Sequence, residues 1–257
     1  MSQPAPMIRI ALALITSILL AESAAAMVGG ATPGDEVLAR RVVAITGADG
    51  SVCTGTAIAR DLILTAAHCV KPGYKYEAIL TDAGRVHRTS VARFAQHPQF
   101  DFEAANSARP ASDLALLKLA KPLSPGMTPA PLGARDSFQE GDEFTVAGFG
   151  TIRELGDDTF GRLLAVELMA VHDQSELQIR LVDPVTRGES PGRSACRGDS
   201  GGPVFEVTKT GLVLVGVVSW GVTVSGNPGC GGVTGATPIA LVRPWITETA
   251  KRLGSPL

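Results

Sequence analysis

Residues 196–203 read CRGDSGGP, a segment that places one serine, Ser200, among glycines. Glycine permits backbone angles that are closed to other residues and lets main-chain N–H groups approach a reacting atom. A nucleophile for acyl transfer beside an oxyanion hole requires both properties. We therefore predict that this segment exposes the hydroxyl of Ser200 as a nucleophile.

A serine nucleophile needs a base, and the four histidines of the chain differ in their context. His68 lies in the motif TAAHC, directly after the apolar residues 62–64, which predict a buried strand ending in small residues. The remaining histidines lack such a setting: His87, His97 and His172. We predict that His68 is the base.

A third group should orient the imidazole and stabilise its charged form. Asp113 stands at the head of an apolar strand in the sequence SDLALLKL, residues 112–119. Asp101 is the nearest rival, but no apolar strand follows it. We predict Asp113 as the third group.

The motifs TAAHC, DLALLKL and GDSGGP, in this order, resemble those of the chymotrypsin/trypsin family of serine endopeptidases. The likeness extends from VGG at residues 28–30, through VAGFG at 146–150 and VSWG at 218–221, to Trp245-Ile246. It therefore covers nearly all of the chain beyond its first residues.

The resemblance implies peptide-bond hydrolysis through an acyl-enzyme. Ser200 would attack the peptide carbonyl, while His68 would take its proton and return it to the leaving amine. Asp113 would fix the tautomer of His68, and the N–H groups of Gly198 and Ser200 would hold the oxyanion.

Many short apolar runs separated by Gly, Pro and Asp are typical of an all-β protein. These runs are residues 42–45, 57–64, 114–119, 143–148 and 212–220. A helical pattern is clear only near the end, around residues 245–252.

The resemblance also implies two six-stranded antiparallel Greek-key barrels with the active site at their interface. We expect the first barrel at about residues 27–130, the second at about 131–240 and a C-terminal helix at about 242–253. The proline-rich stretch 122–131 resists regular structure and is interpreted as the segment that crosses between the barrels.

The first residues differ in kind from the rest. Arg9 precedes an apolar stretch from Ile10 to Ala21, and small residues follow at 24–26. This is the pattern of a secretory signal peptide, and the stretch is shorter than the roughly 20 residues needed to span a bilayer. We expect residues 1–26 to be removed, which leaves one protease domain, residues 27–257, without a membrane anchor. It would be secreted, either to the periplasm or outside the cell.

The 257 residues carry a formal net charge of −2, and 45% of them are hydrophobic. This composition is typical of a soluble globular protein and shows no basic footprint for nucleic acid. We expect a monomer that acts on protein or peptide substrates, with protein inhibitors as the other class of partner.

The four cysteines allow three disulfide connectivities in principle. Export to an oxidising compartment disfavours four free thiols, and no spacing predicts a zinc or EF-hand site, so we expect neither metal nor cofactor. The resemblance selects Cys53 with Cys69, which would staple the loop bearing His68. It pairs Cys196 with Cys230, which would tie the Ser200 loop to a wall of the substrate pocket.

Asp199 lies next to the nucleophile, where its carboxylate would be buried and would need a partner. In the family that partner is the α-amino group of a new N-terminus, normally Ile or Val followed by Val-Gly-Gly. Here Met27 precedes Val28-Gly29-Gly30 and directly follows the predicted cleavage site. We predict that cleavage after Ala26 frees Met27 to pair with Asp199, so that export replaces a zymogen stage.

Ser194 stands six residues before the nucleophile, where family members that cut after Lys or Arg carry an aspartate. Without that carboxylate a cationic substrate side chain would be unpaired, which disfavours trypsin-like cleavage. Ser194, with Gly221 on the wall, predicts an uncharged slot for Phe, Tyr, Leu or Met. Ser219 and Trp220 complete the predicted substrate-binding set.

Several features near this slot leave alternatives open. Gly235 is a candidate second wall residue, and the long loop 222–229 would narrow or reshape the pocket. Arg197 either favours acidic groups nearby or is a solvated surface arginine. The insertion at residues 103–112 is either an exosite or a tolerated surface loop, and we favour the loop.

Two other function classes compete with proteolysis. The first is a catalytically inactive secreted homologue that acts as a binding protein, which the complete set of triad residues disfavours. The second is an α/β-hydrolase esterase or lipase, whose G-x-S-x-G pattern residues 198–202 match. The order His, Asp, Ser and the lack of alternating long helices argue against this second class.

Overall fold

Among the residues that the structure describes, the strands form two closed antiparallel β-barrels of six strands each. This computed structural model describes residues 32–82, 85–107, 109, 112–151, 162–171 and 177–257. A short strand and a single-turn helix precede the first barrel: β1 (Thr32–Pro33) and α1 (Glu36–Ala39). The predicted all-β class and the pair of six-stranded barrels are confirmed.

Apolar strands make up the first barrel: β2 (Val42–Gly47), β3 (Val52–Ala59), β4 (Leu62–Thr65), β5 (Tyr76–Asp82), β6 (Arg85–Gln96) and β7 (Ala115–Leu119). They close in the order β2-β3-β4-β7-β6-β5. Leu62, Ile63 and Leu64 on β4 are all fully buried, and each such side chain contributes about 1.5–3 kcal/mol to folding. This buried strand leads directly to His68.

The second barrel contains the later strands: β8 (Glu143–Gly148), β9 (Leu164–Ala170), β10 (Ile179–Val182), β11 (Pro203–Thr208), β12 (Gly211–Gly221) and β13 (Thr234–Pro238). β8 pairs with both β9 and β11, which closes the ring, and β1 adds to the outer side of β9. Its core is separate from that of the first barrel and includes Phe144, Ile179 and Val215.

The C-terminal helix α3 (Arg243–Arg252) packs against the first barrel and closes the chain. Ile246 and Ala250 are fully buried on its inner face. Beyond its end, the guanidinium of Arg93 on β6 donates to the carbonyl of Leu253 at 2.7 Å. The helix lies within the predicted range of residues 242–253.

The segment between the barrels, residues 120–142, contains neither a helix nor a barrel strand in the described structure. The proline-rich stretch falls within it. The predicted leader, residues 1–26, lies outside the described residues. No helix in the described ranges has both the length and the apolar character needed to cross a bilayer.

Helices α1 and α2 both lie where the sequence pattern predicts none. Helix α2 (Phe102–Asn106) begins one residue before the insertion at 103–112 and extends into it. Asp101 caps it, because its side chain accepts hydrogen bonds from the N–H groups of Glu103 at 2.9 Å and Ala104 at 3.1 Å. Asp101, the rival for the third catalytic position, is therefore occupied as a helix cap.

Candidate active site

His68 lies on a single 3-10 turn, Ala67–Cys69, that directly follows the buried strand β4. Its Nδ1 is 2.7 Å from Oδ2 of Asp113, and its backbone N–H donates to Oδ1 of the same carboxylate at 3.0 Å. Both the ring and the main chain of His68 are thus fixed by one acid. The ring remains partly accessible, with 24% of the side chain exposed.

Asp113 lies just before β7 and is fully buried. Besides the two bonds from His68, its Oδ2 accepts a hydrogen bond from the hydroxyl of Ser219 at 2.6 Å. Burial would raise the pKa of the Asp113 carboxyl, but the charge of His68 and these hydrogen bonds outweigh it and lower that pKa below its ordinary value. Asp113 is therefore ionised at neutral pH. The resemblance assigns Ser219 to substrate binding, and the structure adds this contact with the acid.

Ser200 lies in the loop between β10 and β11, and the first barrel holds that loop in place. The backbone N–H of Thr54 on β3 donates to the carbonyl of Ser200 at 2.8 Å. The hydroxyl of Thr54 donates to the carbonyl of Gly198, also at 2.8 Å. Threonine is common in β-strands, so nothing in the local sequence distinguishes Thr54 from any other strand residue. Sequence reasoning therefore missed this link between the barrels.

Two glycines in this loop have positive φ angles, Gly198 at +96° and Gly201 at +82°. A side chain at Gly201 would also collide with Thr65 and with the backbone of Thr54. Within the described part of the chain, the N–H groups of Gly198 and Ser200 have no hydrogen-bond partner. These two donors are the ones that the resemblance assigns to the oxyanion hole.

His68 and Ser200 line the same pocket of about 200 Å³ at the junction of the barrels. The structure thus brings together the three residues predicted as base, acid and nucleophile, although they come from three separate parts of the sequence. An ionised acid, a histidine oriented by it and a partly exposed serine are the groups needed for nucleophilic acyl transfer.

The structure contains the two disulfides that the resemblance implies. Cys53 is bonded to Cys69 with a Cα–Cα distance of 6.1 Å, and Cys196 is bonded to Cys230 with a Cα–Cα distance of 5.1 Å. The first bond joins β3 to the turn that carries His68. Because Cys53 and Cys69 are bonded to each other, they offer no thiolate ligands beside His68 for a metal.

Asp199 is fully buried, and its carboxylate meets only main-chain donors among the described residues. The N–H groups of Gly150 and Cys196 donate to its two oxygens, each at 2.8 Å. Burial outweighs these bonds and raises the pKa of Asp199 to about 7. The predicted partner, the amine of Met27, lies outside the described residues.

Ser194 is fully buried, and its hydroxyl is satisfied by the backbone. The oxygen accepts a hydrogen bond from the N–H of Gly231 at 2.6 Å, and the hydroxyl donates to the carbonyl of Ala195 at 3.1 Å. Gly221 lies against the carbonyl of Gly229, so a side chain there would meet backbone. Neither position offers a carboxylate.

The loop at residues 222–229 forms a small hairpin directly after Gly221, the last residue of β12. The N–H of Thr223 donates to the carbonyl of Asn227 at 2.8 Å, and that of Gly229 donates to the carbonyl of Gly221 at 3.1 Å. Gly235 lies directly against the indole of Trp220, so this glycine makes room for the tryptophan ring.

The hairpin and helix α2 face each other across a cavity of about 500 Å³. His68, Phe102, Trp220, Val222 and Pro228 are among its lining residues. The segment that contains α2 and the long loop 222–229 thus border the same side of the site.

Comparison with known proteins agrees with this architecture. The family model described as Trypsin matches residues 30–246. Trypsin epsilon of Drosophila erecta is 30% identical over 222 residues, which cover 78% of each chain. The vitellin-degrading protease of Bombyx mori is 29% identical over 215 residues, 78% of this chain and 77% of its own. Hypodermin-B of Hypoderma lineatum is 30% identical over 211 residues, 77% of this chain and 78% of its own. The chain belongs to the trypsin family and is a serine endopeptidase.

Proposed function

We propose that the chain hydrolyses peptide bonds through a triad of Ser200, His68 and Asp113. The observation that carries this proposal is the buried carboxylate of Asp113, which binds both the ring Nδ1 and the backbone N–H of His68. Because this carboxylate is ionised, it holds the proton of His68 on Nδ1 and leaves Nε2 free to act as the base.

In the first half of the reaction, Oγ of Ser200 attacks the carbonyl carbon and its proton passes to Nε2 of His68. The carbonyl oxygen becomes an oxyanion, which the N–H groups of Gly198 and Ser200 stabilise by roughly 3 to 4 kcal/mol per donor. His68 then gives its proton to the leaving amine as the C–N bond breaks. Water repeats these steps on the acyl-enzyme and releases Ser200.

Specificity for an uncharged, large apolar side chain is the second part of the proposal. The hydroxyl of Ser194 is satisfied by backbone groups, and no carboxylate stands at that position to pair with a cation. Burying an unpaired lysine or arginine side chain there would cost several kcal/mol.

Cleavage profiling with a library of unstructured peptides tests this preference. We expect cuts after Phe, Tyr, Leu or Met and at least a tenfold lower kcat/KM after Lys or Arg, because one buried unpaired charge costs more than the roughly 1.4 kcal/mol of that factor. The Ser200→Ala variant controls for contaminating proteases. A preference for Lys or Arg would contradict the interpretation of Ser194.

Activation by removal of residues 1–26 is the third part. The burial of Asp199 without a cationic partner among the described residues supports a requirement for an incoming amine. Cleavage after Ala26 would supply this amine on Met27, whose flexible apolar side chain can fill the pocket of the usual Ile or Val. Edman sequencing of active exported protein should begin at Met27, and a different first residue would overturn this part.

The pH dependence of stability should differ between the processed and unprocessed chains. On the contacts described, the pKa of Asp199 is raised from 3.8 to about 7, so the folded chain keeps this proton longer than the unfolded chain. Stability of a chain that retains residues 1–26 should therefore fall as pH rises from about 4 to about 7. In the processed chain the amine of Met27 keeps Asp199 ionised and should remove that part of the fall.

Thermal unfolding of both chains across this pH range measures the difference, with Ser200→Ala in each to prevent self-digestion. Asp199→Asn in the unprocessed chain is the matched control and should flatten its pH dependence. Equal slopes in the processed and unprocessed chains would count against the pairing. At alkaline pH, activity of the processed enzyme should decline as the amine of Met27 loses its proton. Pairing with Asp199 should move this loss above the reference pKa of about 8 for a free α-amine.

We further propose that residues 1–26 direct export and that residues 27–257 act as a secreted monomer, which protein inhibitors can also bind. The comparisons show that its relatives include proteases. The support for a role outside the cell comes from the leader pattern of the chain itself.

A further inference from the structure

The site has two sides, and both His68 and Lys71 border each of them. The strand residues Ser219, Trp220 and Gly221, assigned above to substrate binding, line the larger cavity on one side of His68. The pocket of about 200 Å³ that contains Ser200 lies on the other side, against the Cys53–Cys69 disulfide. If the acyl part of the substrate follows the strand, the leaving amine and the residues after it enter this smaller pocket.

Cationic side chains reach this leaving-group pocket from both barrels. Lys71 follows the turn that carries His68, and Arg197 directly precedes Gly198 in the nucleophile loop. Both residues are exposed. Within the described ranges, neither side chain forms a salt bridge, and the ammonium of Lys71 lies 5.7 Å from the centre of the Phe102 ring. Hydrogen bonds from Ser51 and, more weakly, the charge of Lys71 lower the pKa of Asp49.

Asp49 is the opposing charge in the same pocket. Its Oδ1 accepts hydrogen bonds from both the N–H of Ser51 at 3.1 Å and the hydroxyl of Ser51 at 2.6 Å, which turns part of its carboxylate toward its own loop. Two cations against one partly engaged carboxylate give the lining a net positive charge. This pocket is therefore electrostatically complementary to an acidic group.

We propose that Lys71 and Arg197 select substrates with an acidic residue just after the cleaved bond. The inference rests on the proposed triad, since it assumes an acyl-enzyme at Ser200. It adds a second specificity, for the leaving group, to the apolar preference of the acyl side. A favoured cleavage sequence would then join a large apolar residue to Asp or Glu.

Acyl transfer measures binding in this pocket directly. An N-acetyl-phenylalanine ester acylates Ser200, and an added amine then competes with water for the acyl group. The nitrogen of the amine bonds to the acyl carbon, the bond from that carbon to Oγ of Ser200 breaks, and a proton of the amine passes through His68 to Oγ. The ratio of amide to acid product reports how well the amine occupies the leaving-group pocket.

Glutamic acid α-amide and glutamine amide are the matched nucleophiles, because they differ in charge and hardly in shape. We expect the wild-type enzyme to form about two- to fivefold more product with the glutamic acid amide at low salt, the range of exposed ion pairs. The preference should shrink as ionic strength rises, since salt screens such charges.

Variants assign the preference to its residues. Arg197→Gln and Lys71→Gln should each reduce the ratio between the two nucleophiles, and the double variant should bring it close to one. Asp49→Asn should increase it, because it removes the opposing charge. Lys209→Gln, in the exposed turn between β11 and β12, is the matched control and should leave the ratio unchanged.

The outcomes separate this inference from the proposed triad. Rapid hydrolysis of the ester with equal use of both nucleophiles would overturn the acidic preference and leave the triad standing. A preference that survives in the double variant would overturn the assignment to Lys71 and Arg197. Failure to hydrolyse the ester at all would overturn the triad, and this inference with it.

Discussion

Ser200→Ala should lower kcat for peptide hydrolysis by about 10⁶-fold, the loss seen when the nucleophile of a comparable triad is removed. KM should change little, because we expect the hydroxyl of Ser200 to contribute little to binding of the substrate before the attack begins. The side chain is small and its loop is held by Thr54 through main-chain groups, so the variant should fold normally.

Steady-state kinetics on a peptide with a large apolar residue before the cleaved bond measures this loss. The thermal midpoint should stay within a few degrees of that of the wild type. A variant that keeps more than a hundredth of the wild-type kcat would show that Ser200 is not the nucleophile.

Asp113→Asn should lower kcat by about 10⁴-fold while leaving the fold intact. The amide has nearly the shape of the carboxylate, but its NH₂ group cannot accept the proton on Nδ1 of His68. The ring would then adopt the tautomer with its proton on Nε2, which removes the base that faces Ser200. Because Asp113 is fully buried, bulk water cannot reach this position to accept the proton on Nδ1 in place of the carboxylate.

Asp101→Asn is the matched control for this substitution. Asparagine caps helices as well as aspartate does, so α2 should keep its cap and kcat should remain near the wild-type value. Kinetics of the two variants at several pH values provides the comparison. Equal losses in both would indicate that charge near the site, and not the contact with His68, sustains the activity.

The sequence predicts those site residues that lie beside a clear apolar run, His68 and Asp113. The apolar run before His68 becomes β4, and the run after Asp113 becomes β7, which pair with each other in register. Their adjacency explains how two distant motifs meet. The short apolar runs predict the all-β class, whereas the two closed barrels and the disulfide pairs come from the family resemblance alone.

Other features depend on partners far away in the sequence and could not be predicted. The hydroxyl of Thr54 reaches the carbonyl of Gly198 in the other barrel, and the hydroxyl of Ser194 meets the N–H of Gly231. Helix α2 carried a weak signal, an aspartate at its cap and Glu103 in its first turn, but it is too short to show apolar periodicity. Lys71 and Arg197 share a pocket only because the barrels pack together.

Covalent labelling tests the central claim most directly. A fluorophosphonate reacts with a serine only where a base and an oxyanion hole activate it, and mass spectrometry locates the adduct. We expect the processed enzyme to carry one adduct on Ser200, formed at the rate at which activity is lost, and we expect none in Ser200→Ala. Correctly processed protein that stays unlabelled, or that carries its adduct on another residue, would contradict the proposed triad.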